Sequence, residues 1–157
     1  MPSGKDPEFK KIIRSFNRSG VRYVLFGRQA VVLHGAPMTS FDYDLWVSPA
    51  DRTTVFHLME EAGLDPTSTT AEKKPIVNFM NESLKIDIFF LKGFGRGIEF
   101  EDCFANSVIM KDGDGRFFIR VASIDDLIRL KSFRNTLRQK DREDIKYLKE
   151  LKKREVK

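Results

Sequence analysis

Between Arg22 and Val47 the chain reads RYVLFGRQAVVLHGAPMTSFDYDLWV, and this segment narrows its folding options more than any other. Arg22 to Phe26 reads as a short buried strand, and Gly27 turns the chain. Arg28 to His34 reads as a short helix closed by Gly35 and Pro37, and Asp42 to Val47 as a second strand. Side chains alternate across a strand, so Asp42, Asp44 and Trp46 share one face while Tyr43, Leu45 and Val47 share the other. Two residues of strand span about 7 Å, which sets the spacing of the two carboxylates.

The rest of the chain continues the alternation of strand and helix patterns. Asp6-Pro7-Glu8 is a helix start, followed by the apolar stripe Phe9, Ile12, Ile13 and Phe16 and a stop at Gly20. Ser48-Pro49-Ala50-Asp51 resembles a capping box for a helix with Val55, Leu58, Met59 and Ala62 inward and Gly63 as its stop. Residues 64–75 are polar and read as a loop. Ile76 to Met80 and Leu84 to Phe90 read as strands joined at Asn81-Glu82. Lys92 to Gly97 is a glycine-rich loop, and Ile98 to Asn106 a short helix. Val108 to Met110 and Arg116 to Val121 flank the hairpin signal Asp112-Gly113-Asp114-Gly115. Helices over about Ile124 to Arg134 and Asp141 to Arg154 end the chain. This order predicts an α/β (α+β) fold, a mixed β-sheet flanked by helices with helices at the C-terminal end. At 157 residues without an internal repeat or long linker, residues 1–157 form a single domain in this reading.

A lone cysteine, Cys103, excludes an internal disulfide and a cysteine-based metal site. No apolar run approaches the ~18 residues that span a bilayer, and MPSGKDPEF lacks a secretory apolar region, so a cytoplasmic protein without membrane association is expected. The net charge of +5 is uneven, with twelve Lys or Arg against five Asp or Glu from Arg129 to Lys157. Either a solvated helix face or a surface for a polyanion such as RNA accounts for that excess.

A third aspartate, Asp87, lies in LKIDIFF among Ile86, Ile88, Phe89 and Phe90. A carboxylate in so apolar a strand is costly unless paired, hydrogen-bonded or metal-bound. Three strand-borne carboxylates facing one point repel, and a hard cation such as Mg²⁺ relieves the repulsion. A strand-end cap or surface position is the alternative for any one of them. Gly27, between a buried strand and a helix, would place backbone N–H groups near the carboxylates, where phosphates could rest. Lys131 continues the inner stripe Ile124, Leu127, Ile128, where it either snorkels outward or meets a nearby anion.

Phe26-Gly27-Arg28, Asp42-Tyr43-Asp44-Leu45 and Ile86-Asp87-Ile88 together resemble the motifs of the polymerase-β-like nucleotidyltransferase superfamily: an apolar residue with Gly-Gly/Ser, then [DE]h[DE]h, then a later h[DE]h. AVVLHGAPMTSFDYDLWV is similar to small prokaryotic members, abortive-infection toxin-like and antibiotic-modifying-like nucleotidyltransferases, and the tail RQKDREDIKYLKEL resembles their C-terminal helix. The resemblance implies metal-dependent transfer of a nucleoside monophosphate from a nucleoside triphosphate to an acceptor hydroxyl, with pyrophosphate released. It implies that Asp42, Asp44 and Asp87 are catalytic and hold two Mg²⁺ ions, with Mn²⁺ as a substitute, and that Gly27, Arg28, Ser40, Lys131 and Lys140 bind the triphosphate. The acceptor stays open among RNA, protein and a small molecule. ATP and an antitoxin or other partner chain are among the partners the resemblance brings in.

Two departures bear on this. Arg28 stands where the family has Gly or Ser, so it either obstructs a phosphate or binds it, and Met38 replaces a frequent Arg. A catalytically degenerate binding module, for example part of a toxin–antitoxin pair, is therefore the second reading. A metal-dependent nuclease using Asp42, Asp44 and Asp87 is the third, although no Asp/Glu-x-Lys follows a strand at the place such sites expect it. His34 is expected to cap or pack, with a catalytic base as its alternative, His57 to lie on the surface and Cys103 to pack in the core; Tyr43 and Trp46 are expected to pack, with stacking on a nucleotide base as their alternative. The Asp112 turn is not an EF-hand, because its twelfth position is Ser123 rather than Glu.

Overall fold

The computed structural model describes residues 7–40, 42–68, 72–95, 97–132 and 139–155. Helices are α1 (Pro7–Ser19), α2 (Gly27–Leu33), α3 (Arg52–Glu61), α4 (Phe100–Asn106), α5 (Ile124–Ser132) and α6 (Gln139–Glu155). Strands are β1 (Tyr23–Phe26), β2 (Tyr43–Val47), β3 (Asp65–Pro66), β4 (Ile76–Met80), β5 (Lys85–Phe90), β6 (Val108–Lys111) and β7 (Phe118–Val121). They form one sheet in the order β3-β4-β5-β2-β1-β7-β6. It is mixed: β2 runs parallel to β5 and β1 to β7, while the other neighbours are antiparallel. The expected α+β architecture is the one observed.

One face of the sheet carries Tyr23, Leu25, Tyr43, Leu45, Val77, Phe79, Ile86 and Ile88, all buried. Helices α1 and α3 close it. Phe9 of α1 stacks on Tyr43 with ring centroids 3.8 Å apart, and Phe56 of α3 meets Phe79 edge-on at 5.0 Å. The apolar stripe read along α1 supplies its buried residues, Phe9, Ile12, Ile13 and Phe16. On the other face, Trp46 packs against Phe94 at 4.6 Å and Phe100 at 5.5 Å, and its indole N–H donates to the Leu91 carbonyl at 2.8 Å. Arg22 fastens α4 to this face by donating to Glu101 at 2.9 Å.

Several boundaries differ from the sequence reading, for identifiable reasons. Strand β2 starts at Tyr43, whose ladder partner is Ile86; Asp42 has no ladder partner and precedes the strand. A short strand β3 lies within the polar stretch expected to be a loop, because the backbone of Asp65 and Pro66 pairs with Met80 and Phe79. Ser48 makes no side-chain cap; a turn of 3-10 helix, Pro49–Asp51, precedes α3. Asp51 spends its carboxylate on the backbone N–H of Arg22 at 2.9 Å instead. The hairpin at Asp112–Gly115 forms as read, joining antiparallel β6 and β7.

Candidate functional site

The carboxylates are placed by register. Phe26 is the ladder partner of Asp44, Asp44 of Asp87, and Asp87 of Asn78, so one row crosses four strands on a single face. This row lies at the C-terminal end of β1, where Gly27 opens α2. Gly27 has φ +71°, and a Cβ there would lie 2.3 Å from Oδ2 of Asp44. The glycine is therefore required twice, by its left-handed backbone and by the carboxylate against it. Asp44 and Asp87 are half-buried and Asp42 is exposed. The amide of Asn78 donates to Oδ1 of Asp87, which fixes that carboxylate's orientation.

Ser40 stands just before Asp42. Its carbonyl accepts from Nε2 of buried Gln29 at 2.6 Å, and its hydroxyl donates to the Asp42 carbonyl at 3.4 Å. Gln29 thereby ties the approach to Asp42 to α2.

Arg28 and Lys131 meet each other's partner rather than the carboxylate row. Nζ of Lys131 lies 2.9 Å from Oδ2 of Asp144 and 3.8 Å from Asp141. Nε of Arg28 lies 3.4 Å from Oδ1 of the same Asp144, 3.0 Å from the Met38 sulfur, and its Nη2 lies 3.7 Å from Glu143. Asp144 is 1% exposed, so two cations from α2 and α5 converge on one buried carboxylate of α6. Lys131 thus takes the nearby-anion alternative, and the anion is carboxylate. Lys140 lies in the first turn of α6, and its side chain is outside what the structure describes.

Asp44 and Asp87 are hard oxygen donors brought side by side, with Oδ2 of Asp44 packed against the Cα of Gly27, so this pair suits a divalent cation. Among the described residues, however, no group of three His, Cys, Asp or Glu side chains is gathered to hold a metal. Asp42 precedes β2, outside the ladder that sets the other two side by side.

The remaining sequence candidates fall into structural places. Nε2 of His34 lies 2.8 Å from the Ala122 carbonyl, joining the end of α2 to the residue after β7. His57 is exposed and pairs with Glu61 at 2.8 Å. Cys103 is buried, and burial together with nearby Asp126 pushes its thiol up to about 12. Asn78, Gln29 and Asp144 were not singled out in the sequence. Asp144 had a signal: Asp141, Asp144, Leu148 and Leu151 share one helical stripe, so two acids occupy positions where apolar residues are expected. Asn78 had none until its register opposite Asp87 was known.

No protein-family model matches the chain, and no curated protein matches its sequence. Solved structures do match its backbone. The lincomycin-bound lincosamide antibiotic adenylyltransferase LnuA superposes with a TM-score of 0.64 at 19% identity, covering 94% of this chain and 98% of that one. The antibiotic-resistance factor ANT(2'')-Ia gives 0.62 at 13% identity over 94% and 84%. An antigenic nucleotidyltransferase-like protein from Paracoccidioides brasiliensis gives 0.60 at 15% over 93% and 77%. The chain has the nucleotidyltransferase fold, in agreement with the polymerase-β-like resemblance of its motifs.

Proposed function

We propose that the chain is a nucleotidyltransferase that moves a nucleoside monophosphate from a nucleoside triphosphate to an acceptor hydroxyl. The observation that carries this reading is the register that sets Asp44 beside Asp87 and against a glycine that must remain one. The fold shared with antibiotic nucleotidyltransferases supports it. In the reaction the acceptor oxygen bonds to the α-phosphorus, the bond from that phosphorus to the bridging oxygen breaks, and pyrophosphate leaves. Oδ2 of Asp87, the oxygen that Asn78 does not engage, takes the acceptor proton.

Mg²⁺, or Mn²⁺ in its place, is the cofactor of this proposal, held by Asp44 and Asp87 with Asp42 joining them. When bound it supplies positive charge to the phosphate oxygens and acidifies the attacking hydroxyl. Gly27 leaves the triphosphate room beside Asp44, and Ser40 positions Asp42. Arg28 and Lys131 neutralise the departing pyrophosphate, in competition with Asp144. Phosphoryl transfer rests mostly on such positioning and electrostatics. No helix of the described residues is long and apolar enough to cross a membrane. The cytoplasm, where nucleoside triphosphates and Mg²⁺ are available, is the proposed setting.

The commitment of both Arg28 and Lys131 to Asp144 favours one second reading, a catalytically degenerate module that binds a partner chain such as an antitoxin. One experiment separates the two. Thermal stability is measured with ATP, GTP, CTP and UTP, each with and without Mg²⁺, for the wild type and Asp44→Asn. Saturation to 100 times Kd adds about 2.7 kcal/mol. A Mg²⁺-dependent shift with one nucleotide, lost in the variant, is expected. No shift with any nucleotide would transfer the argument to the partner-binding module.

A further inference from the structure

The outer side of α6 carries one row of cations. Arg142, Lys146, Lys149 and Lys153 stand at i, i+4, i+7 and i+11, so they fall within one narrow sector of the helix, and all four are exposed. The row is about 16 Å long at 1.5 Å per residue. The opposite side belongs to the fold: Asp141, Asp144 and Leu148 are buried, and Ile145 and Leu151 half-buried.

The charges around the row are committed elsewhere. Lys152 pairs with Asp125, Arg129 with Asp126 and Lys131 with Asp144, and Glu143 lies 3.7 Å from Arg28. Glu143 and Glu150 border the row on one side, with Arg154 beside them. Adding Lys152 and Arg154 to the row, six exposed cations described on α6 stand against these two exposed acids. Among the described residues none of the four forms an ion pair.

Helix stability does not account for the row. Like charges at i, i+3 and i, i+4 repel. Arg142 lies in the first turn, the end of a helix that disfavours a cation, and only Lys153, in the last turn, complements the dipole. Cations lined up at that cost suit an anion from outside.

The shape of the charge selects which anion. The row is one residue wide and bordered by acids, so a planar anionic bilayer would press on Glu143 and Glu150 as well. A helix lying in a membrane interface also needs an open apolar face, and the apolar side chains of α6 turn to the core. An extended acidic peptide presents same-face carboxylates about 7 Å apart, about three over this length. A stacked nucleic-acid strand presents about five phosphates over the same length, enough for all four cations. The unpaired strands that proteins meet in cells are chiefly the loops and ends of RNA.

We infer that Arg142, Lys146, Lys149 and Lys153 bind the phosphate backbone of a single RNA strand. This surface does not rest on the transferase reading.

The test uses the whole chain and a labelled oligouridine of about twelve nucleotides, read by fluorescence anisotropy. The logarithm of the binding constant should fall with the logarithm of salt at a slope of about −3, the value for roughly four phosphates of a single strand. At about 0.1 M salt, where charges more than about 10 Å apart are screened, the quadruple variant Arg142→Gln, Lys146→Gln, Lys149→Gln, Lys153→Gln should weaken binding about thirtyfold and flatten the slope. Glutamine is as good a helix former as lysine or arginine, so α6 should persist by circular dichroism. Should the quadruple variant fail to fold, Lys146→Gln and Lys149→Gln alone should each take about 0.7 off the slope. Lys11→Gln, Arg18→Gln, Lys111→Gln and Arg116→Gln together remove the same charge from exposed positions outside α6 and should change binding by less than about twofold. Equal weakening by the two quadruple variants would reduce the effect to net charge and overturn the row. So would no binding of oligouridine, or tighter binding of polyglutamate, a DNA duplex or phosphatidylserine vesicles. If oligouridine binds as expected but no nucleotide shifts the thermal stability, the RNA surface stands and the transferase reading falls.

Discussion

At the residue scale the carboxylate row is defined by what lies against it. Gly27→Ala must place a methyl where Oδ2 of Asp44 now sits, 2.3 Å from the new carbon, and hold an L-residue at φ +71°. The left-handed backbone and the overlap together should cost about 3 kcal/mol, read by urea denaturation. Nucleotide binding should be lost even where the protein stays folded. Asn78→Ala removes the donor that orients Asp87 and leaves Asp44 and Gly27 untouched. On the transferase reading, kcat should fall about tenfold with the KM for nucleotide unchanged, the pattern of an interaction that matters chiefly in the transition state. Gly27, Asp44 and Asp87 were legible in the sequence because each breaks a local rule: a glycine between strand and helix, and acids in apolar strands. Asn78 breaks none, since a polar residue on one face of a half-exposed strand is ordinary, and only the register opposite Asp87 gives it a role.

At the scale of elements, α6 is attached through charge as well as through Leu148. Asp144 forms ion pairs with both Lys131 of α5 and Arg28 of α2, so one carboxylate joins three helices. Asp144→Ala leaves two cations facing each other without their shared partner. Removing one partner of a fully buried pair costs about 3–5 kcal/mol; with the Lys131 side chain 12% and Arg28 27% exposed, about 2 kcal/mol is expected, measured by denaturation. The same variant frees Arg28 and Lys131, so the salt dependence of nucleotide binding should steepen relative to the wild type. The inner stripe of α5 left Lys131 either snorkelling outward or meeting an anion. Which anion was beyond the sequence, because the two helices meet only through the tertiary packing.

At the scale of the whole molecule, the core holds two acids in their neutral form. Burial pushes Tyr23 from 10.0 up to about 12, and burial with Asp126 nearby pushes Cys103 from 9.0 up to about 12. Between the ordinary and the raised values the unfolded chain has released these protons and the folded chain has kept them. The unfolded state then binds fewer protons, so stability falls as pH rises from about 9 to about 12. The loss should be complete only above the raised values, and Tyr23→Phe should flatten the upper part of the alkaline limb in a denaturation series. Cys103 should resist a thiol reagent at pH 8 in the native protein and react once unfolded. Local patterns were enough to determine the α+β class, the stripe of α1, the hairpin at Asp112–Gly115 and the three aspartates, because period, turn residues and misplaced polarity are properties of neighbours in the chain. The tertiary structure alone decided that Asp42 falls outside the ladder, that β3 exists, that Asp144 gathers Arg28 and Lys131, and that Asn78 stands beside Asp87. Each of these depends on which strand or helix lies alongside, and pairing between distant segments is fixed by the packing of the whole sheet rather than by any stretch of it.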